Sequence, residues 1–266
     1  MNSPYYDYQR FDFAGGLPRN VIGALSTQDA EQLQGKVIKQ VIDDTIYDTA
    51  YFKAGTAVST TALTMFSKQV SATDYVANDS TISFTKTPAQ TNMTQPGTLQ
   101  RGEMFIAESM QVLCTIPGTL DFSLQTTGNT TLPNATGTSA QADPTHASIN
   151  MGALHTAICK EGVIRLGIGS NKELEGGPIY QWPSEFGSSG FGGAAQTGAA
   201  KTGDVVINDG VINNGFGFAR EFRTGPRLIV NGTTIQVLLN FYNAFIPSRN
   251  FDIQVILKGF RLRDVG

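Results

Sequence analysis

The chain predicts an all-β fold, an antiparallel β-sandwich with long loops and one N-terminal amphipathic helix. Three observations lead there. Beyond about residue 60 the apolar residues recur with period two, the period of half-buried strands. The segments carrying that period are separated by unequal stretches rich in Gly, Pro, Asn and Thr, which are turn and loop formers. Only one stretch, following Ser26, repeats with helical spacing.

In chain order, residues 1–26 read as an extended arm. Tyr5, Tyr6, Tyr8, Phe11 and Phe13 crowd into it with prolines and paired glycines and no clear period, so its rings must pack on the body of the domain or on a neighbour. The rest, 27–266, reads as one domain. It opens with a helix expected over about 27–47, with Ser26 as N-cap and Leu33, Val37, Ile38, Val41, Ile42 and Ile46 on one face. Clear alternation then marks strands around Met104–Cys114 (interrupted by Glu108), Leu120–Gln125, Ile164–Ile168, Ile235–Phe241 and Phe251–Leu257. Weaker strands are expected near Leu63–Val70, Thr81–Thr85, Ser148–Ile158, Leu174–Gln181 and Arg227–Val230. In the last strand the apolar parity moves to Phe260 and Leu262 beyond Gly259, which a one-residue bulge there would explain. The stretches Thr126–Pro144 and Ser184–Asp204 are too long for hairpins and read as inter-strand loops.

Composition narrows the function. Charged residues make up 15% of the 266, against roughly 25% in typical domains, and the net charge is −3, so the surface is polar rather than ionic. Nucleic-acid binding needs clustered positive charge, and neither the arm (Arg10, Arg19) nor the last strand (Lys258, Arg261, Arg263) supplies enough. No run approaches the ~20 apolar residues of a membrane span, and the first residues lack the basic and apolar regions of a signal peptide. Folding in a cytoplasm is therefore expected, with Cys114 and Cys159 as buried thiols and the five Asn-x-Ser/Thr triplets as chance.

Gly193 and Gly198 have the spacing of a phosphate loop, but Ala199 stands where lysine is required and Lys201 comes two residues late. The two histidines, His146 and His155, lack the companions of a metal site, and no nucleophile elbow exists to pair with either. Glu103, Glu108, Glu173 and Glu175 are conceivable members of a glycosidase pair, with solvated strand-face carboxylates as the default. No enzyme activity, cofactor or metal is expected.

An aromatic arm, one helix and about eight strands with long polar loops, ending in "GPRLIVNGTTIQVLLNFYNAFIPSRNFDIQVILKGFRLRDVG", resembles the jelly-roll coat proteins of tailless icosahedral bacteriophages. "IRLGIGSNKELEGGPIYQWP" adds a second point of similarity. The resemblance implies a single eight-stranded jelly roll and a capsid subunit that assembles with copies of itself and other virion proteins after folding in the host cytoplasm. With no basic arm, the genome would be held by another layer, which in such phages can be an internal membrane. Candidate inter-subunit contacts are Tyr5, Tyr6, Tyr8, Phe11 and Phe13 of the arm, with Phe186 and Phe191 of the glycine-rich loop. The alternative is a receptor- or carbohydrate-binding β-sandwich using Trp182, Phe186 and Phe191 as exposed stacking rings.

Overall fold

The computed structural model describes residues 23–33, 40–115, 154–155, 157–185, 193–196, 205–208, 218–247 and 250–263. Ser26 caps the helix α1 (Thr27–Leu33) as expected: its Oγ accepts the Asp29 N–H at 3.2 Å, and its carbonyl accepts Ala30 N–H at 2.9 Å. The helix spans only seven residues, however, and Gln40–Phe52 is a thirteen-residue strand, β1, which overturns the helix expected to residue 47. The cause is legible in hindsight. Val41, Ile42, Thr45 and Ile46 are β-branched, and Ile42, Asp44, Ile46 and Asp48 share one strand face. Two acids on a buried face disguise the alternation, and they are tolerated because Asp44 meets Arg261 and Asp48 meets Lys86.

The remaining strands are β2 (Leu63–Met65), β3 (Thr73–Val76), β4 (Asp79–Thr85), β5 (Glu103–Thr115), β6 (Gly162–Ile168), β7 (Asn171–Pro178), β8 (Gly193–Gln196), β9 (Val205–Asn208), β10 (Arg220–Glu221), β11 (Arg227–Val230), β12 (Ile235–Phe241) and β13 (Phe251–Arg263). One sheet has the order β1-β13-β5, with β10 and β11 both pairing the far side of β5. The second has the order β2-β12-β6-β7. Every pairing in both is antiparallel. Between them lies one core, to which β1, β5, β11 and β13 contribute Ile46, Met110, Val112, Ile229, Val255 and Leu257, and β2, β6 and β12 contribute Met65, Ile164, Leu166, Val237 and Leu239. The all-β sandwich expected from the alternation is therefore present, with two small ribbons, β3-β4 and β8-β9, beside it.

Two further expectations change. Near Ser148–Ile158 a strand was expected, but residues 154–155 and 157–161 are helical, and buried Leu154 and Ile158 stand one helical turn apart. Within Ser184–Asp204, read as a loop, Gly193–Gln196 pairs with Val205–Asn208. The expected strand around Leu120–Gln125 and the stretch Thr126–Pro144 lie outside the described residues.

The bulge exists, but the extra residue belongs to β5. Lys258 faces Ser109 and Gly259 faces Ala107, leaving Glu108 without a partner on β13. On β5 this shifts the inward parity from Phe105 and Ala107 to Met110, Val112 and Cys114. β13 itself does not slip. Its apolar parity changes because Phe260 and Leu262 face outward, where Leu33 of α1 covers them together with Met104, Ile106 and Leu228. On the inward side Arg261 bonds Glu103 at 2.8 Å and contacts Asp44, closing that end of the core with paired charges. At Gly259 the strands approach so closely that a Cβ would stand 1.8 Å from the Ile106 carbonyl oxygen. Gly259→Ala is therefore expected to cost about 3 kcal/mol or more in denaturant unfolding, whereas Gly55→Ala, where a Cβ meets nothing within 4 Å, should cost only its backbone strain, about 1 kcal/mol.

Candidate functional site

At one end of the sandwich the β1–β2 and β12–β13 connections are tied together. Val58 N–H bonds the Phe245 carbonyl at 2.8 Å, Gly55 N–H bonds that of Pro247 at 2.8 Å, and Ala54 N–H bonds Asn250 Oδ1 at 2.8 Å. Beneath them Phe52 stacks on Phe251 at 4.5 Å between centroids and meets Phe241 edge-on at 5.7 Å, while Phe245 packs against both Phe241 and Phe251. This aromatic base holds Tyr242 (57% exposed) and Ile246 (68% exposed) outward. Tyr180 (58% exposed) stands at the same end, on the 3-10 turn Ile179–Gln181 whose buried Ile179 packs toward Gly162 and Phe241. Register places Tyr180 and Tyr242 on either side of the start of β6, because Phe241 faces Gly162 and Val163 faces Pro178. Arg165 donates to the Tyr242 hydroxyl at 3.1 Å and Asn243 to Glu161 at 2.7 Å, so the apolar patch has a polar rim.

A second feature lies at the bulge, where a cleft of about 330 Å³ is bounded by Ala24, Phe218, Phe222 and Pro226 together with Glu108, Glu185 and Glu221. Glu185 holds its far wall. It adopts a left-handed φ of 66°, accepts Ala219 N–H at 2.7 Å through one carboxylate oxygen and contacts Lys258 through the other. Burial opposes the charge on Glu185, but Lys258 and the Ala219 N–H outweigh it and hold its carboxyl below the usual value. Glu108 has no such partner: burial first, and then the charges of Glu221 and Asp43, push its carboxyl up. Phe218, 93% exposed, stands at the cleft mouth.

Glu103 is tied to Arg261 and Arg263, Glu175 is buried with its Oε1 accepting Arg223 N–H at 2.8 Å, and the Glu173 side chain lies outside the described residues. Among the described residues no three His, Cys, Asp or Glu side chains gather as a metal site. Cys114 and Cys159 are buried free thiols; burial raises both, Cys159 to about 12, which keeps them protonated and unreactive. Among the described residues no helix is long and apolar enough to cross a membrane.

Trp182 is not an exposed stacking ring. It is fully buried, with the Arg220 guanidinium 4.3 Å above its ring centre and its Nε1–H pointing to the Gly177 carbonyl at 3.4 Å. The contacts expected at Tyr5, Tyr6, Tyr8, Phe11, Phe13, Phe186 and Phe191 all lie outside the described residues. Tyr180, Tyr242, Ile246 and Phe218 were missed. Tyr242 carried a usable signal, since it comes directly after the inward Phe241 that ends a strand of period two, where alternation points to the outer side. No family model, curated protein or solved structure matches the chain.

The raised carboxyl of Glu108 sets a pH dependence. A group whose folded pKa exceeds its unfolded one supports the fold fully below the unfolded value and loses that support as pH rises through the folded value. Glu108→Gln should therefore be more stable than wild type at pH 7, by no more than about 0.5 kcal/mol given solvent screening at this half-open site. Paired urea titrations should show the advantage vanish below the ordinary carboxyl range.

Proposed function

We propose that the protein is a virion structural protein, a capsid subunit of jelly-roll type that assembles with copies of itself. The observation that carries this reading is the path of the chain between the sheets. β1, β5, β10/β11 and β13 belong to one sheet and β2, β6, β7 and β12 to the other, so the chain crosses at almost every connection. Taking β10 and β11 as one broken strand, this alternation supports the reading of two four-stranded sheets wound as a jelly roll. The chain-end likeness to coat proteins of tailless icosahedral phages points the same way.

Assembly is supported by the exposed Tyr180, Tyr242 and Ile246, held on a rigid aromatic base with a polar rim, the make-up of an interface core. On this reading the subunit folds in the host cytoplasm, resides in the virion, contacts other virion proteins and carries no catalytic activity. The genome, held away from a subunit without a basic arm, lies with another layer, with an internal membrane as one form of it. The alternative of a carbohydrate-binding module loses Trp182, its central stacking residue, to the interior.

Sedimentation and electron microscopy of the full-length chain should reveal closed, concentration-dependent assemblies. Loss of a central aromatic anchor costs ~2 kcal/mol per contact, roughly thirtyfold in contact affinity. Tyr242→Ala should therefore raise the critical concentration for assembly and leave the urea midpoint nearly unchanged. A wild-type chain that stays monomeric at high concentration in every buffer would count against the proposal.

A further inference from the structure

Lys86, just beyond β4, lies with its amine in the protein interior, where its side chain is 1% exposed and that of Asp48 on β1 is 3% exposed. Its Nζ stands 2.5 Å from Asp48 Oδ1, 2.7 Å from the Thr49 carbonyl oxygen and 3.2 Å from Asp74 Oδ2. The other carboxylate oxygen of Asp48, Oδ2, accepts the backbone N–H of Phe66 at 2.6 Å. Phe66 is fully buried and holds a left-handed φ of 63°, a costly conformation that aims this N–H at Asp48. A buried amine, a buried carboxyl, a donor on the carboxyl's second oxygen and a further carboxylate on the amine are the parts that amide formation requires.

We propose that Lys86 and Asp48 join in an intramolecular isopeptide bond that forms spontaneously in the folded protein, with Asp74 as the proton relay. The ion pair first passes one proton from Nζ to Asp48 Oδ1, giving a neutral amine beside a neutral acid. The Nζ lone pair then attacks Cγ, and the negative charge that develops on Oδ2 is held by the Phe66 N–H. Asp74 takes a proton from the attached nitrogen and returns it to the Oδ1 hydroxyl, which leaves as water while the Cγ–Oδ2 double bond re-forms. Of the three protons on the ammonium, one stays on the amide and two leave in the water. Asp74 is unchanged and no other reactant is needed.

The surroundings favour each step. Contact enforced by packing replaces a bimolecular encounter. Burial raises the Asp48 carboxyl, against the opposing pull of Lys86, which brings the neutral acid within reach. Asp74, with a quarter of its side chain exposed, connects the site to solvent and gives the released water a way out. The bond would lock the β3-β4 ribbon to β1, and it stands independently of the assembly reading.

Intact-mass measurement of the folded wild-type chain tests this. The expected result is a mass lower than the sequence mass by one water, and a branched peptide on digestion that joins the Asp48 and Lys86 segments. Lys86→Arg, which keeps the cation, and Asp74→Ala, which keeps the Lys86–Asp48 pair, should both keep full mass, with folding checked by circular dichroism. A folded wild-type chain that retains its full mass after prolonged incubation overturns the proposal, as does a water loss mapped to other residues. Undiminished cross-linking in Asp74→Ala overturns the relay, and the wild-type mass decides the bond itself even if a variant fails to fold.

Discussion

The fold depends on β13. Its thirteen residues pair with β1 along their whole length on one side and with β5 on the other, so the last described strand is the centre of its sheet. Central placement makes its inward row, Phe251, Ile253, Val255 and Leu257, fully buried. It also leaves this sheet incomplete until residues from both ends of the chain have met, a long-range closure that is entropically costly and slow. The β12–β13 connection is then positioned by backbone pairing on one side and by the phenylalanine cluster on the other, which is why Tyr242 and Ile246 are displayed on a firm base.

Charges inside the sandwich follow from the same geometry. β1 pairs with β13 over more residues than it can fill with apolar side chains, and Asp44 and Asp48 fall on its inward face. Each is met by a cation from a distant part of the sequence, Arg261 on β13 and Lys86 beyond β4. Such pairs contribute less to stability than apolar packing would, but removing one partner strands a buried charge. They therefore fix which segments lie together.

These acids also mark where the sequence was readable and where it was not. β12 could be placed to the residue and β6 nearly so, because apolar residues alternate cleanly along them, whereas β11, an unbroken apolar run after Arg227, was only a weaker expectation that fell on its observed bounds, and β5 and β13 were legible on either side of their breaks in parity. β1 was hidden: paired acids interrupt its inward row, and the spacing that remains, Val41 with Ile42 and Ile46, fits a helix as well. Glu108 was visible as an interruption, but only pairing showed that the extra residue sits on β5 and that Phe260 and Leu262 turn toward α1. The surface patch was harder still, since exposure of Tyr180 depends on a turn and on Gly162 admitting Ile179 beside it. Trp182 misled because a buried tryptophan in a glycine- and proline-rich stretch looks the same in sequence as one exposed on a loop.

The burial of Trp182 has a use beyond packing. It is the single tryptophan of the chain, and it touches both sheets, β7 through the Gly177 carbonyl and β10 through the Arg220 guanidinium. A shielded indole emits at shorter wavelength than a hydrated one, and the charge above its ring tunes that emission further. Intrinsic fluorescence in this protein is thus a one-site optical gauge of the seam where the two sheets meet, silent to changes confined to the far end of the sandwich.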